Sequence, residues 1–392
     1  MTVKSGTVEE RIKQQLAEHS ATQPQDWYLV FKARYGLEAV FAGIRQERGP
    51  GNVLTQLFTC ATAVNPVIAA GLTPVYGEIS PDTVALDPQT LPDYRHLRAI
   101  VLQNTFGIVS DKTGVALKRA AEEAGALLVE DSAHSIGRMA RNADGSPVAD
   151  VSVHSFGVEK MLPTKFGGAV WVNPESDSAL SAAVRSALQQ LESPGALLAL
   201  AATTYRVQLG VLNRLPSGIS GASRKVLTKV QLFDPPIAPS ELEGAQGSPV
   251  PLAPTPWVAR QMLRALGGLR ATENTRSDAV ASYVELLSGE VEFPAAITGG
   301  APLVRFPFFV AEGEDAEAVF DRLRAEGVYA GRWYRPALFP GVADPARYNW
   351  DPAAHRFPIT EDLIARVVNL PTSETIEESE RVARALLSIL NR

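Results

Sequence analysis

The chain has 392 residues, a formal net charge of −6, 45% hydrophobic residues and 20% charged residues. This length exceeds what one ordinary core fills, so we expect one large domain and one smaller domain. The composition excludes the disordered and fibrous classes, and the acidic balance argues against nucleic acid as a partner, since a phosphate-binding face needs clustered basic residues.

Residue usage also excludes several kinds of site and location. Cys60 is the only cysteine, so neither an intramolecular disulfide nor a thiolate metal cage can form. The five histidines do not occur at the spacing of metal ligands, so no metal is predicted. The N-terminal sequence predicts a polar helix rather than a secretory signal, and no apolar run is long enough to cross a bilayer. We therefore expect a cytoplasmic protein without a membrane partner.

The first half of the chain alternates short apolar runs with amphipathic stretches, from about residue 37 to residue 173. This alternation is typical of βαβ units in a mostly parallel sheet. The predicted helices cover 36–45, 62–70 and 112–124, and the predicted strands cover 73–76, 99–103, 126–130, 151–156 and 169–172. The predicted fold class is therefore α/β, with a central sheet flanked by helices.

The second half is predicted to begin irregular and to end as a small α+β domain. Between 192 and 256 the periodicity weakens and proline and glycine become frequent, which favours a long irregular connection with some helix. We place the domain boundary near Gly247, which gives a large domain over 1–246 and a small domain over 247–392. The small domain is predicted to contain a long helix from about residue 256, a strand over 303–310, and helices over 315–326 and 376–390.

A carboxylate and a histidine follow one of the buried strands. The strand over 126–130 runs directly into Asp131, and His134 comes three residues later. Ligands of open α/β sheets collect beyond the carboxyl ends of the strands, so both side chains could face one ligand. Asp131 could keep a pyridine nitrogen protonated, and His134 could donate to a phenolic oxygen of the same ring. The alternative is an acidic cap on the next turn beside a histidine satisfied in the core.

A lysine follows the next strand in the same way. Lys160 comes five residues after Ser155, and Gly167 and Gly168 permit a tight return into the sheet. A desolvated lysine can act as a neutral nucleophile and form a Schiff base with an aldehyde. A serine in this place could hydrogen-bond a phosphate. The alternative is a solvated surface charge, and Lys165 competes for any role given to Lys160.

Four short segments between residues 49 and 173 form one pattern, and these two motifs are part of it. They are Phe58-Thr59, AGLTPV over 70–75, EDSAHSIG over 130–137, and SF at 155–156 followed by Lys160 and Gly167-Gly168. Thinner matches follow at GRWY over 331–334 and at ARVVNLP over 365–371. The pattern resembles the cofactor domain of the DegT/StrS-type sugar aminotransferases, which are fold-type-I pyridoxal phosphate enzymes.

The resemblance implies a role for each residue of the two motifs. Lys160 would be the Schiff-base lysine that carries pyridoxal 5'-phosphate, and its place five residues after Ser155 selects it over Lys165. Asp131 would pair with the pyridine nitrogen, His134 would contact the phenolic oxygen, and Ser155 would contact the phosphate. Relatives are homodimers with active sites at the subunit interface, so a homodimer is expected here.

Three departures from the family pattern alter the expected cofactor site. Arg34-Tyr35-Gly36 stands where relatives have an SGT turn, so the helix N-terminus would offer backbone amides while Tyr35 or Arg34 replaces the missing hydroxyl. Cys60 takes the place of an aromatic ring over the cofactor face, although Phe58 could supply a ring from nearby. The asparagine-containing segment by which a neighbouring subunit touches the phosphate is not found.

The resemblance implies transfer of an amino group from a donor such as glutamate to a keto sugar, nucleotide-linked, or to a related biosynthetic keto intermediate. Relatives that dehydrate sugars lack the lysine, so Lys160 favours transfer. Arg332, Trp333 and Tyr334 would line the substrate pocket, with domain-interface packing as the alternative for each. Two other functions stay open. One is elimination or carbon–carbon chemistry with the same cofactor, which Cys60 motivates, and the other is a catalytically silent, ligand-binding relative.

Overall fold

The computed structural model describes residues 6–390 except 163, 177, 231 and 245–250. Its strands are β1 (Trp27–Val30), β2 (Asn52–Thr55), β3 (Thr73–Tyr76), β4 (Leu97–Gln103), β5 (Leu127–Ser132), β6 (Val151–Ser155), β7 (Gly168–Val172), β8 (Arg305–Phe309) and β9 (Val367–Pro371). Its helices are α1 (Val8–Ser20), α2 (Ala33–Arg48), α3 (Ala61–Ala69), α4 (Asp111–Glu123), α5 (Ser178–Gln189), α6 (Ala196–Leu212), α7 (Ser217–Lys229), α8 (Pro239–Leu242), α9 (Pro256–Leu266), α10 (Leu269–Leu287), α11 (Ala316–Ala325), α12 (Pro358–Arg366) and α13 (Ile376–Leu390). Within this described part, no helix combines the length and apolar character needed to cross a membrane.

The larger sheet has seven strands in the order β1-β7-β6-β5-β4-β2-β3. Neighbouring strands from β3 through β6 are parallel, whereas β7 runs antiparallel to both β6 and β1. This confirms the predicted α/β class with a mostly parallel sheet. Because β4, β5 and β6 are adjacent and parallel, the residues that follow them meet at one edge of the sheet, as expected for a ligand site.

The sheet is held by apolar side chains that it shares with the helices on its faces. Strands β5, β6 and β7 are buried along their whole length, as is typical of strands with helices on both faces of the sheet. Helices α2 and α5 cover one face, and Val40 and Val184 join a cluster with Val153 of β6. At Gly43 a Cβ atom would lie 2.9 Å from the backbone of Val184, so only glycine allows this close helix packing.

The second sheet pairs β8 with β9 in antiparallel register, and helices α10, α11 and α13 pack around it. Its apolar core continues to the edge of the larger sheet, since Phe58 after β2 and Phe106 after β4 belong to the same cluster as Phe306. The boundary predicted near Gly247 lies outside the described residues, so the division into 1–246 and 247–392 stays a prediction.

Several predicted elements are longer, shorter or interrupted in the structure. The stretch over 192–256 contains helices α6 and α7 rather than a mostly irregular connection. The apolar residues of α6 lie on all its sides, so the sequence lacked the helical periodicity that would have predicted it. The long helix predicted from residue 256 is two helices, α9 and α10, because Gly267 and Gly268 interrupt it.

Candidate active site

A cavity of about 330 Å³ lies at the edge where β4, β5 and β6 end. Asp131 belongs to β5 itself rather than to the turn beyond it, and it is in register with Gln103 of β4 and Val153 of β6. Ser155 is the last residue of β6, and Lys160 lies on the loop between β6 and β7. All three of these predicted residues, Asp131, Ser155 and Lys160, line the cavity.

Lys160 faces His134 across the cavity, with its Nζ atom 2.7 Å from Nε2 of the imidazole. Its Nζ also lies 5.6 Å from the centre of the Trp333 ring. Burial lowers the pKa of Lys160, while Cys60 and Asp131 oppose that shift. The site therefore favours a neutral amine, which is the nucleophilic form of lysine.

Asp131 is a buried carboxylate that keeps part of its hydrogen-bonding capacity for the cavity. Its Oδ1 atom accepts a hydrogen bond of 3.0 Å from the backbone N–H of Ala133. Burial raises the pKa of Asp131, and Lys160 opposes that rise. Glu130, one residue earlier on the strand, lies in a separate buried network in which Asn104 and Ser152 donate to its carboxylate.

His134 is held in place by aromatic rings of the 331–334 segment. Its ring stacks on Trp333 at 5.4 Å and 15°, and lies parallel to Tyr334 at 6.3 Å and 3°. The Tyr334 hydroxyl is 3.4 Å from the same Nε2 atom that Lys160 contacts. Burial lowers the pKa of His134 well below its ordinary value, so the ring is neutral where its Nε2 atom meets the Lys160 amine.

The remaining predicted residues divide into two groups. Cys60, Trp333 and Tyr334 line the cavity. Tyr35 and Gly36 lie outside the lining: Tyr35 is buried with its ring 6.3 Å from that of Phe31, and Gly36 packs against β7. Both face away from the cavity because α2 directs Arg34 into it, and consecutive helical residues point about 100° apart.

Two further residues from the sequence analysis also lie beside the cavity rather than in its lining. The side chain of Arg332 is half exposed and pairs with Glu317 at 2.5 Å. Phe58 is fully buried, and its ring meets that of Tyr334 edge to face at 5.6 Å. Phe58 therefore packs against Tyr334 without lining the cavity itself.

Sequence reasoning missed part of the lining. Lys32 lines the cavity just before α2, and Pro236 and Ile237 reach it from the segment between α7 and α8. Lys165, considered only as a competitor of Lys160, also lines it. The pair Lys32 and Arg34 was the sequence signal for an anion site, and of these two residues only Arg34 was predicted.

Comparison with known proteins finds one family profile that matches part of the chain. Residues 35–204 match the profile of the DegT/DnrJ/EryC1/StrS aminotransferase family. This match confirms the resemblance predicted from the motifs.

Two curated relatives and one solved structure illustrate the likeness. The chain is 28% identical over 194 residues to the UDP-2-acetamido-2-deoxy-3-oxo-D-glucuronate aminotransferase of Pseudomonas aeruginosa, a match that covers 48% of this chain and 50% of that protein. It is 31% identical over 106 residues to the L-glutamine:2-deoxy-scyllo-inosose aminotransferase of Streptomyces fradiae, covering 26% and 24%. The matches therefore span half or less of these relatives' length.

The fold likeness extends along nearly the whole chain. PseC of Helicobacter pylori, an aminotransferase involved in the biosynthesis of pseudoaminic acid, superposes with a TM-score of 0.70 at 16% identity. That superposition covers 99% of this chain and 92% of the other. It establishes the fold.

Proposed function

We propose that this protein is a pyridoxal-phosphate-dependent aminotransferase, which moves an amino group from a donor such as glutamate to a keto sugar or a related biosynthetic keto intermediate. One observation carries the proposal. Lys160, Asp131 and His134 face one cavity at the carboxyl ends of adjacent parallel strands, with the lysine amine 2.7 Å from the imidazole. The family match over residues 35–204 supports it independently.

The donor set fits this cofactor. Asp131 offers a buried carboxylate for the protonated pyridine nitrogen, and Ser155 offers a hydroxyl for the phosphate. Lys160 offers the amine that would hold the cofactor covalently. When bound, the cofactor supplies an aromatic ring that acts as an electron sink.

The chain's own residues would handle the proton. A Lys160 amine freed from the cofactor, with its pKa lowered by burial, is neutral and can accept a proton from the carbon that bears the amino group. The neutral His134 orients that amine through the hydrogen bond between Nζ and Nε2. Tyr334 lies 3.4 Å from the same nitrogen and keeps the ring in place together with Trp333.

The substrate class follows from the relatives and from the small domain. The two relatives described above are named as acting on an oxo-sugar nucleotide and on a keto cyclitol. We assign Trp333 and Tyr334 to the substrate side of the cavity, because ring faces there suit the apolar face of a sugar. Arg332 stays a proposed substrate-binding residue, and its contribution can be measured separately.

We further propose that the protein is a cytoplasmic homodimer. In each chain the large domain would cover 1–246 and the small domain 247–392. Large apolar side chains are exposed on helices α6 and α7, among them Leu200, Val207, Val211, Ile219 and Val226. Val207 alone is 71% exposed. Exposed apolar clusters of this kind mark protein interfaces, so we assign the α6–α7 face to the contact between subunits.

Borohydride reduction with peptide mapping tests the proposal directly. Protein loaded with pyridoxal phosphate, reduced and digested should carry the modification on the peptide containing Lys160, and a Lys160→Met variant should not carry it. A modification on Lys165 alone would contradict the assignment.

A half-reaction with glutamate separates the remaining alternatives. Loaded protein should lose the absorbance of the aldehyde form and gain that of the amine form. Loaded protein whose spectrum does not respond to any amino donor would favour elimination or carbon–carbon chemistry. Protein that stays colourless with pyridoxal phosphate would favour a catalytically silent relative.

A further inference from the structure

Three basic side chains line the end of the cavity next to α2, and we refer to Lys32, Arg34 and Lys165 as the cationic end. Two of them are neutralised within the chain. The Nζ atom of Lys32 lies 2.6 Å from the carboxylate of Asp234, and Arg34 forms an ion pair with Glu241. Three cations against two carboxylates leave one positive charge unmatched.

Lys165 carries that unmatched charge. It is only 9% exposed, and its Nζ atom lies 4.3 Å from the centre of the Tyr205 ring and 5.4 Å from that of Phe166. Among the described residues no hydrogen-bond acceptor or carboxylate contacts the ammonium group. Burying an ammonium group without an anionic partner is costly, so a role that requires the charge in this cavity explains its presence.

The backbone of Lys165 points to the same conclusion. Its φ angle is +81°, in the left-handed region that side-chain-bearing residues rarely adopt. Residues held in such conformations cluster at ligand-binding sites, where the surrounding structure maintains them. This conformation keeps the amine within the cavity lining.

The neighbouring groups favour an anion with several oxygens. Helix α2 begins here with 16 residues behind it, and no side chain caps its N-terminus, so its partial positive charge faces the cationic end. Ser155 lines the same cavity and can donate from its hydroxyl. A phosphate group matches this combination of cations, hydroxyl and helix N-terminus.

We propose that Lys165 is a phosphate-binding residue, and that with Lys32 and Arg34 it replaces the hydroxyl that relatives carry before this helix. The inference rests on the proposed function, because that function supplies the phosphorylated ligand. The phosphate belongs either to the cofactor or to the diphosphate of a nucleotide-linked substrate, and both present the same chemistry to the site.

Two ligand pairs that differ only in phosphate test the inference by calorimetry. One pair is pyridoxamine phosphate with pyridoxamine, which form no covalent bond with a lysine, and the other is uridine diphosphate with uridine. The variants are Lys165→Met, which keeps the length of the side chain, and Lys165→Arg, which keeps its charge. Lys112→Met on the exposed surface of α4 is the matched control.

Lys165→Met should weaken the binding of a phosphorylated ligand by about tenfold or more, the usual effect of losing a charge-assisted hydrogen bond. Its unphosphorylated partner should bind unchanged, and Lys165→Arg should restore most of the affinity. Loss confined to pyridoxamine phosphate identifies the cofactor's phosphate, and loss confined to uridine diphosphate identifies the substrate's. Without ligand, Lys165→Met should melt at a higher temperature than the wild type.

Two results would overturn the inference. One is Lys165→Met binding both phosphorylated ligands as tightly as the wild type. The other is equal weakening of phosphorylated and unphosphorylated ligands, which would indicate a structural role. Failure of the proposed function is distinguishable, because wild-type protein would then bind no pyridoxamine phosphate while the uridine diphosphate pair still decides about Lys165.

Discussion

The loop between β6 and β7 supplies one lysine to each end of the cavity, yet the surroundings of these two lysines differ. At the reactive end Lys160 has the imidazole of His134 within hydrogen-bonding distance and the carboxylate of Asp131 nearby. At the cationic end Lys165 has aromatic rings and two further cations around it. Burial lowers the pKa of both lysines.

This difference shows that burial alone does not define a lysine's role. A lysine beside a hydrogen-bond acceptor and a carboxylate is oriented as a base and nucleophile, whereas a lysine without an anionic partner is prepared to receive an anion from outside. Substitutions at the two ends should therefore have different effects.

Replacing Lys160 should abolish the reaction. Lys160→Met removes both the covalent attachment and the base, so we expect a loss of turnover of at least about 10⁴-fold, the upper range for a general acid–base residue. Stopped-flow spectra of the glutamate half-reaction measure it. The comparison breaks down if Lys165→Met shows the same loss while Lys160→Met remains active.

The cationic end should make stability depend on pH. The pKa of Lys165 falls from 10.5 to about 7, first through burial and then through Lys32. Between pH 7 and pH 10.5 the unfolded chain binds more protons than the folded chain, so the free energy of unfolding rises with pH. The loss of stability caused by burying the charged Lys165 is complete below pH 7.

Lys165→Met should therefore stabilise the ligand-free protein by roughly 3 to 5 kcal/mol near neutral pH, with the gain shrinking towards alkaline pH. Urea unfolding at about pH 6 and about pH 9.5 gives the difference. The other charged groups around the Lys165 amine are unchanged in the variant, so the difference in the free energy of unfolding reports on Lys165 alone. These groups are Lys32, Arg34, Asp234 and Glu241. An equal change of the free energy of unfolding with pH in both proteins would contradict the prediction.

Replacing Asp131 should weaken the reactive end without removing the lysine. Asp131→Asn cannot hold a protonated ring nitrogen by charge, and we expect turnover to fall by about 10²- to 10³-fold, as for other electrostatic groups in a dry site. Borohydride trapping at Lys160 should persist in this variant. Asp278→Asn on the exposed surface of α10 serves as control, and an activity near that of the control would exclude the proposed pairing.

The smallest effect is expected on the substrate side. Trp333→Leu removes the ring stacked on His134, and aromatic pairs contribute about 0.5 to 1.5 kcal/mol, so KM for the keto substrate should rise roughly two- to tenfold. Arg332→Ala breaks an exposed ion pair with Glu317 and a contact with the Phe320 ring, both outside the cavity lining, and kcat/KM should stay within about twofold. A larger effect at Arg332 than at Trp333 would place the substrate on the opposite side of the 331–334 segment.

By itself the sequence determined the fold class, the family resemblance and the residues that follow the buried strands. Asp131 and Lys160 were predictable because the carboxyl ends of parallel strands meet at one edge, so a charged residue just after an apolar run is brought there by topology. Trp333 and Tyr334 were predictable from their motif, and the structure brings both to the cavity.

Only the tertiary structure decided which neighbours of these residues share the cavity. Arg34 lines it while Tyr35 is buried, and Trp333 lines it while Arg332 is outside, although each pair is adjacent in the sequence. The direction of a side chain depends on how its helix or loop is rotated against the sheet, and packing with distant segments fixes that rotation. The unpaired charge of Lys165 was hidden for the same reason, since its surroundings come from α2, α6 and the segment before α8.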